Sequence, residues 1–288
     1  MPFGLPTREP VRTGPGLRGV VDGIGPDDKV IIWGGGIYNW FDPLSLIAAV
    51  GQLAQTRPTV RLFFLGMQHP NPLVPEMQMA QRARDLADSL GLTGKHVFFN
   101  EKWVPYDDRQ NYLLDADVGV STHFEHIETT YSFRTRILDY LWARLPIVTT
   151  RGDGFGDLVS EQGLGIAVPE SDVTALANAL EGMLYDEQAA AGARANVARV
   201  REDFTWDKAL APLIEFCRDP HPARDRVPPE EPGSRHAGPT RVLRGMVRRD
   251  IELARKYLSE GGVSALVGAA GGRVQRKLSA RKRKAARS

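Results

Sequence analysis

The chain has 288 residues, 37 Lys and Arg, 35 Asp and Glu, and a net charge of +2, enough for one large domain with appendages or two small ones. No window approaches the roughly 20 continuous apolar residues of a membrane span, and MPFGLPTREP lacks the apolar segment of a secretory signal, so a cytoplasmic protein is expected. Cys217 is the only cysteine, which excludes an intramolecular disulfide and a multi-cysteine zinc site. The near-neutral total hides a division: from Arg241 onward there are 14 bases and 3 acids, giving +11 on the tail and −9 on residues 1–240.

Residues 1–28 read as a lead-in segment. Six short runs rich in Val, Ile and Phe then alternate with helical patterns. KVIIW (29–33) precedes a helix from about Asp42, VRLFFL (60–65) precedes VPEMQMAQRARDLADSL, and HVFF (96–99) precedes a short helix near YDDRQNYLL. DVGVS (117–121) leads to a helix starting near Ser132, PIVTT (146–150) to FGDLVSEQ, and GIAV (165–168) to DVTALANALEGML. Two more helices are expected around 187–202 and 206–217. Parallel strands need crossovers and cover on both faces, so this alternation predicts an α/β fold with a doubly wound, Rossmann-like parallel sheet. The stretch 218–240, dense in Pro, Gly and charge, reads as a linker.

Ligands of such sheets bind beyond the carboxyl ends of the strands, where helix N-termini offer free amides. Three loops qualify. Gly34, Gly35 and Gly36 follow KVIIW directly and let a phosphate or sugar approach the backbone, or serve only a turn that needs positive φ. A dinucleotide fingerprint is a poor match, because its third glycine would fall at Asn39 and no acid ends VRLFFLG. The absence of a GK[ST] excludes a nucleoside-triphosphate loop. In NEKWVPYDDR, Trp103 or the backbone near Val104 is placed to meet a flat base, although an aromatic there also suits packing.

The third loop, THFEHIETTY, carries His123, Glu125, His126 and Glu128 ahead of a helix with Ser132 as its expected N-cap. Arg134 and Arg136 then fall in the first turns, where the helix dipole disfavours cations unless an anion offsets them. A diphosphate held by both guanidinium groups explains the pair; surface pairing with Glu125 or Glu128 is the alternative. Asp139, about two turns on and next to Leu138, Leu141 and Trp142, is positioned for a ribose diol. Asp115-Ala116-Asp117 spells D-x-D but spans the end of a helix and the start of a strand, so its carboxylates are expected to diverge. No histidine pair has the helical spacing of a zinc site.

In order, GGG, ADVGVS, the acid-bearing loop, LDYLWARLPIVTT, GDGFGDLV and GLGIAVPESDVTALANAL resemble the donor-binding, C-terminal half of a GT-B glycosyltransferase of family 4, or group 1, over residues 29–217. The resemblance implies a nucleotide-sugar donor, no metal and no cofactor, with a hexose passed to a glycan or lipid-linked acceptor of the cell surface. It places Asp139 at the family's second acid, which holds the donor ribose. The first acid would fall at Tyr131, so Glu125 or Glu128 must supply it. The family's Arg and Lys after the first strand are missing from GGGIYNWFDPL, and Arg134 and Arg136 stand in as the diphosphate clamp. Gly35, Gly36 and Val104 complete the donor-binding set, with Glu128 and His126 facing the sugar as catalytic candidates. The stereochemical outcome stays open.

A GT-B enzyme has a second, N-terminal domain for the acceptor, and FTWDKALAPLIEF matches the segment that crosses back towards it. A truncated enzyme or one subunit of a split transferase is therefore expected. A non-catalytic half that binds a partner or docks on a membrane is the alternative, and a nicotinamide dehydrogenase a distant third. In RVLRGMVRRDIELARKYL, Leu243, Val247, Ile251, Ala254 and Leu258 form one apolar stripe among arginines, which suits peripheral binding to an anionic membrane through 241–288, against the alternative of a solubilising tail. No aromatic interleaving supports nucleic acid as a partner.

Overall fold

The computed structural model describes residues 3–222 apart from 68–70 and 72. Six strands, β1 (Lys29–Trp33), β2 (Val60–Phe64), β3 (Val97–Phe99), β4 (Val118–Ser121), β5 (Ile147–Thr150) and β6 (Gly165–Val168), form one sheet in the order β3-β2-β1-β4-β5-β6. Every pairing is parallel, as the apolar runs predict. This order is that of a doubly wound dinucleotide-type sheet, and its direction reverses between β1 and β4, which leaves a crevice at the carboxyl ends of those strands.

Nine α-helices are described: α1 (Pro43–Ala54), α2 (Gln78–Ser89), α3 (Arg109–Leu113), α4 (Ile127–Tyr131), α5 (Thr135–Trp142), α6 (Gly154–Glu161), α7 (Val173–Tyr185), α8 (Glu187–Val200) and α9 (Trp206–Arg218). Strand side chains alternate between faces. Ile31 and Trp33 enter the core shared with Leu46, Val50 and Leu180 of α1 and α7, whereas Ile32 joins Ile137, Leu141 and Val197 of α5 and α8 on the other side. Asp42 caps α1 by accepting from the Ser45 amide at 3.0 Å, with Pro43 at the first helical position.

The segment expected as a mere lead-in is part of the domain. Leu5 forms a bridge with Thr205, and its amide donates to the Phe204 carbonyl at 2.8 Å. Leu17 and Ile24 are buried with Val30, Phe63 and Phe98. The D-x-D acids hold this segment. Asp115 accepts from the Leu17 and Arg18 amides at 2.6 and 3.1 Å and pairs with Arg12, while Asp117 accepts from Arg18 Nη2 at 2.5 Å and the Val30 amide at 2.8 Å. Both carboxylates are thus structural and lie at the amino end of β4, away from the crevice.

Contacts separate the chain into two units, Met1–His221 and Pro222–Ser288. The linker expected at 218–240, beyond 222, and the basic amphipathic tail at 241–288 lie outside the described residues. No helix among the described residues is long and apolar enough to cross a membrane.

Candidate donor-binding site

The loop after β4 folds differently from expectation. His126 Nδ1 accepts the Glu128 amide at 3.1 Å and caps the short α4, a helix that IETTY does not announce. Ser132 is not the N-cap of the next helix. It is extended, at φ −78 and ψ 137, and its hydroxyl donates to the Thr129 carbonyl at 3.0 Å, which closes α4 instead. The N-cap of α5 is Arg134, which makes no side-chain cap bond, so Arg136 falls in the first turn. Glu128 and His126, assigned to face the sugar, are exposed and line neither of the clefts described next.

Two clefts open along the carboxyl ends of the strands. The first, about 290 Å³, lies between the glycine loop and the loops after β2 and β3, with Leu65, Met67, Trp103 and Val104 in its walls. The second, about 300 Å³, runs from Gly34–Gly36 to Trp40, Phe133, Arg134 and Arg136. They share Gly35, Gly36, Tyr38 and Asp139. Gly35 has φ +88 and an added Cβ would meet nothing within 4 Å, so the conformation is what requires glycine there. The loop is further fixed by Tyr140, whose hydroxyl oxygen accepts the Gly34 amide at 2.8 Å and lies 2.8 Å from the Val120 carbonyl. Gly35, Gly36 and Asp139 thus line both clefts, Val104 the first alone, and Arg134 and Arg136 the second alone.

Both arginines are buried. Arg134 pairs through Nε with Asp153, with side-chain exposures of 3% and 0%, rather than with Glu125 or Glu128. Asp153 in turn caps α6 by accepting the Gly156 amide at 2.7 Å. Arg136 has no acidic partner among the described residues. Its Nη2 donates to the Gly36 carbonyl at 3.0 Å, and its guanidinium lies 4.3 Å from the Trp33 ring centre and 4.1 Å from that of Phe41. Arg134 Nη2 and Arg136 Nη1 are buried without a hydrogen-bond partner. Burial lowers the pKa of both, that of Arg136 to about 10 despite the opposing influence of Tyr140.

Asp139 has a partner that sequence did not reveal. Arg109 Nε donates to its Oδ1 at 2.9 Å, and the Arg109 guanidinium lies 3.5 Å from the Tyr106 ring centre and 4.4 Å from that of Trp142. Burial nevertheless raises the Asp139 pKa, with Arg109 opposing. His123 was also missed as a structural centre. It is fully buried, with Nδ1 2.6 Å from Thr150 Oγ1 and Nε2 unpartnered. Burial, then the nearby Arg134, depress its pKa to about 4, so it is neutral. Among the described residues no three His, Cys, Asp or Glu side chains converge as a metal site.

A family model described as glycosyl transferases group 1 matches residues 28–186. The chain belongs to this family. No curated protein matches it in sequence. Among solved structures, sucrose-phosphate synthase from Thermosynechococcus elongatus is similar with a TM-score of 0.57 at 20% identity, covering 67% of this chain and 45% of that one. HepE from Anabaena, in complex with UDP-glucose, has a TM-score of 0.57 at 18% identity over 67% of this chain and 49% of its own. The C-terminal domain of the group 1 protein LpcC from Francisella tularensis gives 0.52 at 14% over 62% and 87%. This chain thus spans about half the length of the first two, and what it shares with them is a partial GT-B fold.

Proposed function

We propose that the paired clefts bind a nucleoside diphosphate sugar and that this domain, with an acceptor-binding half supplied by further chain or a separate partner, transfers the sugar to a glycan or lipid-linked acceptor. The observation that carries the reading is the pair of unpartnered guanidinium nitrogens, Arg134 Nη2 and Arg136 Nη1, buried at the glycine loop. Buried cations lacking acceptors are costly, and a diphosphate offers them bidentate oxygens. With the base against Val104 and Trp103 and the ribose at Asp139, the diphosphate falls beside both arginines. UDP-glucose bound to HepE agrees with such a donor.

Transfer breaks the bond between the sugar and the diphosphate, and the leaving oxygen gains negative charge. Arg134 and Arg136, already fixed and desolvated, stabilise that charge without reorganising, which is where such catalysis is concentrated. They supply the neutralisation, so the reaction is proposed to run without a divalent cation. The basic tail is proposed to hold the domain at an anionic membrane surface, where a lipid-linked acceptor resides.

Calorimetric titration with UDP, GDP and dTDP tests the reading. One of them is expected to bind, with EDTA without effect and with R136M weakening binding at least about tenfold, the scale of a lost charge-assisted contact. Absence of binding by all three, or binding indifferent to R136M, refutes the clamp.

A further inference from the structure

Resting on the donor-site reading above, we propose that Arg109 is a positioning residue that makes Asp139 a reader of the ribose hydroxyls, so that the cleft selects ribonucleoside over 2′-deoxyribonucleoside diphosphate donors.

Three observations carry this. The first is the division of labour on the Asp139 carboxylate. Oδ1 accepts Arg109 Nε at 2.9 Å, while Oδ2 accepts from no described residue, and the side chain keeps 32% of its exposure where the two clefts meet. One oxygen is anchored and the other is left for a ligand. An ionised carboxylate only accepts hydrogen bonds, so two vicinal hydroxyls suit it as donors.

The second is that Arg109 is itself immobilised. Its side chain is 9% exposed, Nη1 donates to the Tyr106 carbonyl at 2.6 Å, and its guanidinium carbon lies over both the Tyr106 and Trp142 rings. A guanidinium held from three sides fixes the carboxylate it grips, and a group aimed at a ligand needs such support.

The third is charge. Burial pushes the Asp139 carboxyl towards the protonated form, and Arg109 is the group that opposes this. The other ionisable groups bordering the clefts are Tyr38, Glu76, Tyr106, Arg134 and Arg136, with Tyr140 on the same helix. None of these forms a hydrogen bond or ion pair with Asp139. A neutral carboxyl offers one acceptor fewer and presents a donor, so it discriminates poorly between a diol and a single hydroxyl.

The experiment compares UDP with 2′-deoxy-UDP, and GDP with 2′-deoxy-GDP, on the full chain, by calorimetry from pH 5 to pH 8. The unsubstituted protein is expected to prefer the ribonucleotide on the order of tenfold at pH 8, the scale of one hydrogen bond to a charged group. That preference is expected to fade on acidification at a pH above the ordinary carboxylate range. R109Q is expected to weaken the preference several-fold and move its loss on acidification to higher pH, with affinity for the deoxy compound little changed. R109K, which keeps the charge beside the rings, is expected to restore the pH profile and part of the preference. If R109Q does not fold by thermal melt, a several-fold reduced preference in R109K supports the proposal and an undiminished one overturns it. Nucleotide binding with the ribose preference and its pH profile unchanged in R109Q overturns the positioning role and leaves the donor site standing. No nucleotide binding by the unsubstituted chain overturns both.

Discussion

Arg134 and Asp153 form a buried ion pair that ties the N-terminus of α5 to that of α6, because the same Asp153 carboxylate also accepts the Gly156 amide. Removing one member of such a pair leaves the other charge buried without a partner, at a cost of about 3–5 kcal/mol. R134M and D153N should therefore each lower stability by that order in urea unfolding at pH 7. Asn retains the cap, so D153N isolates the charge from the helix end. The double variant should lose clearly less than the sum, since no orphan charge remains. Additive losses would mean that the two side chains act independently.

Arg136 presents the opposite case. Its guanidinium sits over Trp33 and Phe41 with one carbonyl acceptor and one nitrogen unpartnered. Truncation to a similar apolar shape removes a desolvated donor, so R136M is expected to stabilise the free domain by about 1–3 kcal/mol. Pyrophosphate is expected to raise the melting temperature of the unsubstituted protein, and the same variant should lose that rise. Thermal melts with and without pyrophosphate check both. A variant less stable than the parent, or one still stabilised by pyrophosphate, removes Arg136 from the anion site.

The sheet was legible because its strands are short runs dominated by Val, Ile and Phe with helical patterns between them, and the observed ends fall within a residue or two of those read. The groove was legible because parallel topology places every candidate loop at one end of the sheet. What sequence did not show is contact across separations. Asp153 lies 19 residues from Arg134, and Asp139 lies 30 from Arg109, each beyond a strand or helix whose path decides the meeting. Locally, IETTY has no apolar periodicity, and a histidine is a weak cap signal, so α4 was invisible and Ser132 took the role that fits its type but not its place. Leu5, Leu17 and Ile24 are apolar residues scattered through a Gly- and Pro-rich stretch, which hid the packing of residues 3–28.

His123 gives the fold a specific acid sensitivity. Its pKa is depressed to about 4 by burial and by Arg134, whereas an unfolded histidine titrates near 6.5. Between these values the unfolded chain binds the proton and the native chain does not. Stability is therefore lost as pH falls from about 6.5 to about 4, on the order of 2–3 kcal/mol from this residue. H123N, whose amide oxygen replaces Nδ1 opposite Thr150, should flatten that part of the stability curve. Urea unfolding at pH 7, 6, 5 and 4.5 reads the difference, and parallel curves for the two proteins would reject it.

Gly119 in the middle of β4 makes room for the ring of Tyr140. A Cβ at this position would lie 2.4 Å from Tyr140 Cγ, inside any real contact distance, and the ring is fully buried. G119A should therefore displace α5 or tilt the ring, at about 1–3 kcal/mol for overpacking. The effect should reach the site, because the Tyr140 hydroxyl oxygen accepts the Gly34 amide and so holds the glycine loop. Y140F keeps the ring and loses only that hydroxyl, leaving the Gly34 amide buried without its acceptor, again about 1–3 kcal/mol. Both variants are expected to weaken nucleotide binding. If G119A lowers stability while Y140F does neither, Tyr140 acts as packing alone and the loop is held by other bonds.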